Sequence, residues 1–257
     1  MSYQCHLCHQ PLHCSQLQWR CHSNYQFDCA KEGYVNLLPV HHKRSKLPGD
    51  SVEMMQARRA FLDAGYLPAI TATGYGTSGT VAESRCNGIA GWEGYYTAEL
   101  AARLEQRHNV AVYGLDIAKV AIRYAAKRYP AVSFCVASNH RLPFAERSMD
   151  AVLRIYAPCK AGELARVVKP GGILMTVSPG PRHLYQLKAQ VYQQVQLHDG
   201  QEKRLEGFGC ESREALAYTM ALSGGQAANL LQMTPFAWRA PRQRYSSSSL
   251  PARVLWL

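Results

Sequence analysis

Cys5 and Cys8 form a C-x-x-C pair, and Cys21 follows after twelve residues. A tight thiolate pair with a distant partner is how small zinc ribbons gather their ligands, because the metal replaces the core that so short a module lacks. The spacing predicts that Cys5, Cys8 and Cys21 hold Zn2+. A tetrahedral site takes one more donor, and several residues compete for it. Cys29 is the best match in chemistry, His22 is adjacent to Cys21 and so awkward for joint chelation, and Cys14 and His9 are the remaining candidates.

A second group of residues points to a bound small molecule. "VAVYGLD" is a short apolar strand ending in Asp116, followed by the helical pattern "AKVAIRYAAKRYP". In a doubly wound sheet an acid at the carboxyl end of such a strand is placed to accept hydrogen bonds from ribose hydroxyls, and the same position can cap the helix that follows. "EGYYT" (residues 93–97) reads as the start of a helix, whose amides would attract a carboxylate. Gly94 lies in the place of a cofactor-loop glycine. The run before it, "GTSGTVAESRCNGIAGW", reads as neither strand nor helix.

The elements that must position these residues alternate. "AELAARLEQR" is helical, "VSFCVAS" and "MDAVLRIYAP" are strands, "AGELARVVK" is a helix, and "GILMTVSP" is a strand entered through Pro170, Gly171 and Gly172. Strands separated by helices of this length pair in parallel through right-handed crossovers, so the expected class is α/β with an open sheet. Ahead of it, "SVEMMQARRAFLDAG" predicts a helix capped by Ser51 or Asp50 and stopped at Gly65. Met54, Met55, Phe61 and Leu62 share a face of that helix, with Arg58 and Arg59 largely off it. Three segments result: a ribbon module at 1–36, a basic linker and helix at 37–66, and the α/β domain at 67–257.

With 47% apolar residues, the chain of 257 can bury a proper core. Lys+Arg 29 against Asp+Glu 18 gives +11, which favours a polyanionic partner such as nucleic acid. "HHKRSK" (residues 41–46), Arg58 and Arg59 are candidate phosphate contacts. "MSYQCHLCHQ" has no signal-peptide core and no window reaches membrane-span length, so the nine cysteines read as thiols or metal ligands of a cytoplasmic protein.

Beyond these patterns, the runs "FDCAKEGYVNLLP", "GDSVEMMQARRAFLDAG", "GLDIAKVAIRYAAKRYP", "CVASNHRLPF", "DAVLRIYAPC", "ELARVVKPGG", "PGPRHL" and "LLQMTPFAWRA" make the chain resemble the bacterial large-subunit ribosomal RNA guanine-N1 methyltransferases. The resemblance covers most of residues 1–73 and 93–240. It implies a zinc ribbon followed by a Rossmann-like class I methyltransferase domain that uses S-adenosyl-L-methionine, with a hairpin loop of 23S ribosomal RNA as substrate and a homodimer as the assembly. It also implies that Cys5, Cys8 and Cys21 are zinc ligands and that Tyr96, Thr97, Asp116 and His183, with Tyr66 near the end of the first helix, contact the cofactor. The loop "YAPCK" (Tyr156 to Lys160) would present target-reading residues, Tyr156 and Cys159 among them.

The chain departs from this family in three places. Tyr25 stands where the family has its fourth zinc ligand, a His, which leaves Cys29 or His22 to substitute. Residues 74–92 lack the apolar strand, Asp and Gly-x-Gly that normally lead into "EGYYT". Read one nucleotide along, codons for "GYGTSGTVAESRCNGIAG" are compatible with a helix followed by such a strand and its Asp. The polar run "TSGTVAESRCNG" is not expected to fill a buried central-strand slot without unpaired polar groups. The tail after Ala240 is equally unlike the family and would remove the closing strands of the sheet. These departures raise a second reading, a non-catalytic zinc- and RNA-binding remnant.

Overall fold

A computed structural model describes residues 3–39, 49–66, 87–90, 94–105, 111–200, 204–236 and 253–256. The chain divides into two compact units. The first comprises Met1–Asp50, Thr73–Val177 and Arg204–Gly209, the second Ser51–Ala72, Ser178–Lys203 and Cys210–Leu257.

The first unit opens with a meander of three short antiparallel strands, β1 (His13–Ser15), β2 (Gln18–Arg20) and β3 (Gln26–Asp28). β4 (Val35–Asn36) then leaves the meander and pairs in parallel with β7 (Ser133–Val136), through Val35↔Cys135 and Asn36↔Val136. The last strand of the ribbon segment is thus the edge strand of the larger sheet. That sheet continues through β6 (Ala111–Asp116) to β5 (Asn87–Ala90), all parallel. β5 lies against β8 (Met149–Ile155), which pairs in parallel with β9 (Val168–Val177). The sequence β7, β6, β5, β8, β9 is that of a doubly wound fold whose strand order reverses beside its first strand. α2 (Tyr95–Glu105), α3 (Lys119–Arg128) and α4 (Ala161–Val167) make the crossovers.

The backbone of Asn87–Ala90 occupies the first-strand slot, with Gly88↔Val112 and Ile89↔Tyr113 in register with β6. The expectation of unpaired polar groups concerns residues 77–88, and apart from the backbone of Asn87 and Gly88 that run lies outside the described residues. Parallel ladder bonds need only backbone groups, so a short Gly- and Ile-containing run meets that requirement. Residues 74–86 and 91–92, the rest of the departing segment, lie outside the described residues, as does the basic run 41–46.

The ribbon is fixed to the sheet by its first residues. Tyr3 is buried, donates its hydroxyl to the Ser133 carbonyl at 2.9 Å, and sets its ring against Trp19 on one side and Tyr113 and Phe144 on the other. The Gln4 amide donates to the Pro143 carbonyl at 2.8 Å, and the Arg141 guanidinium meets the His9 ring. One apolar cluster therefore contains Cys5, Leu12 and Cys21 of the ribbon together with Leu115, Cys135, Phe144 and Val152 of the sheet.

A second set of contacts locks α4. Glu163 accepts from the Leu142 amide at 2.9 Å and from Arg166, which in turn donates to the Phe144 and Leu142 carbonyls. Burial works to raise the Glu163 pKa, but the Arg166 guanidinium and the Leu142 amide outweigh it and hold the carboxyl below its usual range. A depressed folded pKa stabilises the fold above the unfolded value near 4.3, and the contribution is lost as pH falls through the folded pKa. Glu163→Gln is expected to cost about 1–3 kcal/mol at neutral pH. In thermal melts the difference from wild type should vanish toward the acid limit, below about pH 4.

The second unit is built on α1 (Val52–Asp63) against α6 (Gly224–Gln232), with α5 (Tyr185–Val191) and the antiparallel pair β10 (Tyr218–Ala221) and β11 (Arg253–Trp256). Ser51 caps α1 by accepting from the Met54 amide at 3.3 Å, and Gly65 at φ +77° follows its end, as the sequence predicts. Ser223 and Gln226 form a capping box on α6. One expectation is corrected here. Arg58 is buried, not a solvent-facing phosphate contact, and donates to the Met233 carbonyl at 3.2 Å and toward the Met55 sulfur. In the atypical tail, Arg253–Trp256 pairs with β10 from Trp256↔Tyr218 to Arg253↔Ala221 as a separate two-stranded sheet, and among the described residues the tail adds no strand to the parallel sheet. Among the described residues no helix is long and apolar enough to cross a membrane.

Candidate cofactor and metal sites

Two turns build the cysteine group. The Cys5 carbonyl accepts from the His9 amide at 2.9 Å, and the Cys5 amide donates to the Gln10 carbonyl at 2.8 Å. In the second turn the Asn24 amide donates to the Cys21 carbonyl and the Cys21 amide to the Tyr25 carbonyl, with Asn24 at φ +62°. The Cys5, Cys8 and Cys21 sulfurs all lie within 4.8 Å of one another, Cys8 and Cys21 at 3.4 Å. Tetrahedral Zn2+ with Zn–S near 2.3 Å sets its sulfurs about 3.8 Å apart, so this spacing fits the ion. Burial pushes the Cys5 thiol up, whereas the Gln10 amide draws the Cys8 thiol down.

Cys29 does not join them. Its amide is tied to the Leu17 carbonyl at 2.8 Å and its thiol sits beside Cys14, while burial raises its pKa. The other candidates are also engaged elsewhere: His22 meets His13 edge to face, and His9 meets Arg141. Sequence spacing brings the three ligands into view, but which way Cys29 turns depends on the meander register, which spacing does not encode.

At the carboxyl edge of the parallel sheet, Asp116 ends β6 and its Oδ1 accepts from the Ala118 amide at 2.7 Å. That bond fixes the carboxylate at the carboxyl end of β6. It also orients the turn into α3, whose N-cap Ala118 has no side-chain cap of its own. Gly94 precedes α2 at φ +80°, where a Cβ would meet the Phe134 ring at 2.7 Å. Gly114 in β6 faces the same ring, at 2.3 Å from a notional Cβ. Only glycine suits these positions, since Phe134 sits over both. In the first turn of α2, Tyr96 and Thr97 are buried, and the Thr97 hydroxyl has no hydrogen-bond partner among the described residues. A buried hydroxyl without a partner costs about 1–3 kcal/mol, and a carboxylate held at this helix start would relieve it. Gly94, Tyr96, Thr97 and Asp116 therefore share the first unit and fit a nucleoside–amino acid cofactor. Tyr66 and His183 belong to the second unit. There Tyr66 stacks on Phe61 and accepts from the Tyr218 hydroxyl through its carbonyl, and His183 is buried with its ring 6.1 Å from that of His198.

In the loop after β8, Tyr156 adopts φ +49° while its amide donates to the Val177 carbonyl at 3.0 Å. A left-handed tyrosine is strained, which makes Tyr156 a candidate for a functional role. Cys159 has a different character. Its thiol donates to the Asn139 carbonyl at 2.8 Å, and burial pushes its pKa up to about 11, so it packs as a neutral group.

This arrangement, a cysteine ribbon joined to a doubly wound sheet with an acid at the end of its second strand, fits an S-adenosylmethionine-dependent methyltransferase with a zinc module. Comparison with known proteins agrees: residues 3–46 match the zinc-ribbon family described as "RlmA, N-terminal", and residues 93–227 match a methyltransferase domain. A 23S rRNA (guanine(748)-N(1))-methyltransferase of Streptomyces fradiae is 31% identical over 245 residues, covering 91% of this chain and 85% of that protein. Relatives from Micromonospora griseorubida (27% identical, 95% and 89% covered) and Bacillus subtilis strain 168 (28%, 86% and 81%) carry the 23S rRNA guanine-N1-methyltransferase name provisionally. The chain belongs to the 23S rRNA (guanine-N1)-methyltransferase family. Its methyl donor by family is S-adenosyl-L-methionine and its metal is zinc.

Proposed function

We propose that the protein transfers a methyl group from S-adenosylmethionine to N1 of a guanine in a hairpin loop of 23S ribosomal RNA. The observation that carries this is the joining of a three-cysteine ribbon to the cofactor-domain sheet through β4 and Tyr3, in a chain similar along most of its length to an rRNA guanine-N1 methyltransferase. A small-molecule substrate would need neither the ribbon nor the +11 charge.

When bound, S-adenosylmethionine supplies the methyl group on a sulfonium. Asp116 would accept from its ribose hydroxyls, and the α2 amides with Thr97 would hold its carboxylate. This chain contributes mainly position, since in-line displacement depends on alignment of the guanine nitrogen. The target base must leave its stack to reach the pocket, and we assign Tyr156, in the loop after β8, as the aromatic that receives it. Loss of the N1 proton accompanies attack.

The test is incubation of the full chain with protein-free 23S rRNA and labelled S-adenosylmethionine, followed by nucleoside mass spectrometry. One 1-methylguanosine per rRNA supports the proposal; methylation of another base, or of none by protein that binds both ligands, refutes it. As a second arm, Tyr156→Gly relieves a left-handed cost of about 1–2 kcal/mol. It should leave the melting temperature level or raised while turnover falls at least tenfold.

A further inference from the structure

We infer that the fourth coordination position of the ribbon metal is filled by a small exogenous donor and not by any of the described residues, making this a three-thiolate site with an exchangeable ligand. The donor set carries the argument. Cys5, Cys8 and Cys21 form a group within 4.8 Å, and no other His, Cys, Asp or Glu among the described residues joins it. The surrounding candidates lie outside that group and make other contacts. The His6 ring packs 5.1 Å from Phe27, His9 meets Arg141, His13 and His22 pack edge to face, and Cys14 and Cys29 are neighbours. Tyr25 closes the turn with Cys21 through its backbone carbonyl, and its side chain is 43% exposed. A neutral phenol is a poor zinc ligand.

Zn2+ completes four-coordination, and where protein supplies three ligands, water or a substrate group takes the remaining position. The side of the group that carries Cys8, its half-buried member, also carries a polar pair able to hold such a ligand. The Ser23 hydroxyl lies beside the Cys8 thiol and 3.4 Å from Gln10 Oε1. The position therefore takes a solvent-derived oxygen ligand and exchanges it for a compact nitrogen or sulfur donor, imidazole or a low-molecular-weight thiol.

The experiment loads the full-length protein with Co2+ in place of zinc and follows its d–d absorption during separate titrations with imidazole and with cysteine. The expected result is a saturable band shift with each ligand. Tyr25→His places an imidazole across the turn from Cys21. Its spectrum should match that of imidazole-saturated wild type from the outset and should not shift further. Groups outside the coordination shell alone change metal affinity about 10–100-fold, so an added ligand should tighten Co2+ binding at least about tenfold. A wild-type spectrum that ignores both ligands overturns the inference, because the chain itself then supplies the fourth donor. Failure of wild type to bind Co2+ at all also overturns it. Neither readout involves methyl transfer, so the outcome is separate from that of the rRNA assay.

Discussion

Stripping the metal from the full chain should lower the melting temperature of the methyltransferase sheet itself, by roughly 10 °C, in a single transition shared with the ribbon. The reason is the placement of the ligands. Cys5 and Cys21 are 0% and 5% exposed and belong to the same apolar cluster as Tyr113, Leu115, Cys135 and Phe144. Losing the ion leaves thiols that no longer hold the two turns together, and Tyr3, Leu12 and β4 then lose their supports. Structural zinc contributes about 10–16 kcal/mol to the folding of isolated fingers. Here part of that is replaced by packing on the sheet and part is absent with the fourth protein ligand, so a net effect of about 3–5 kcal/mol is expected, close to the cost of losing a buried structural element. At about 2–4 °C per kcal/mol for a chain of this size, the shift follows. Cys21→Ser should reproduce it without chelator, and Cys14→Ser, whose residue is exposed and outside the metal group, should not. Differential scanning calorimetry decides the matter: an early, small transition for the ribbon with an unmoved main peak would show that the two fold independently.

What could be read from the sequence depended on whether the signal was local. The strands β6, β7 and β8 and the helices α1 and α3 follow from hydrophobic period and from caps, and Ser51 and Gly65 act where their chemistry predicts. Cys5, Cys8 and Cys21 were visible because ligand spacing is itself the signal. Non-local facts were not. Arg58 looked solvent-facing on the helical wheel, yet α6 packs over it and offers the Met233 carbonyl. Cys29 is one of several candidate fourth ligands by chemistry, yet its thiol lies beside Cys14 and outside the group of three. β5 was unreadable because Asn87–Ala90 forms its ladder with backbone alone, and a four-residue strand leaves little periodicity to detect. Tyr3 gave no hint of its role as the pin between ribbon and sheet, since its partners are the Ser133 carbonyl and rings more than a hundred residues away. The unpartnered Thr97 hydroxyl is the same kind of fact: only burial in three dimensions reveals it.

That hydroxyl allows a prediction with opposite signs in two measurements. Thr97→Val keeps the shape and removes a buried, unpartnered oxygen, so the ligand-free protein should be equally stable or more stable, by up to about 1–3 kcal/mol. If Thr97 serves the cofactor carboxylate, the same change removes a charge-assisted hydrogen bond and should weaken S-adenosylmethionine binding about 10- to 100-fold by calorimetry. A residue that merely fills space would move neither quantity in this paired way. Asp116→Asn is the companion variant. It keeps an acceptor for the Ala118 amide and so preserves the turn into α3, but it loses the charge that strengthens bonds from ribose hydroxyls. Its effect should therefore appear in affinity for both S-adenosylmethionine and S-adenosylhomocysteine, with little change in melting temperature. The two variants also separate the enzyme from the remnant reading. Wild-type binding that both changes weaken means that the β5 backbone and the segment before Gly94 form a working entry to the site. If wild type shows no binding, and binding appears when residues 74–92 are replaced by an apolar strand with a Gly-x-Gly turn, then Thr97 and Asp116 are intact parts of a site whose first loop is lost.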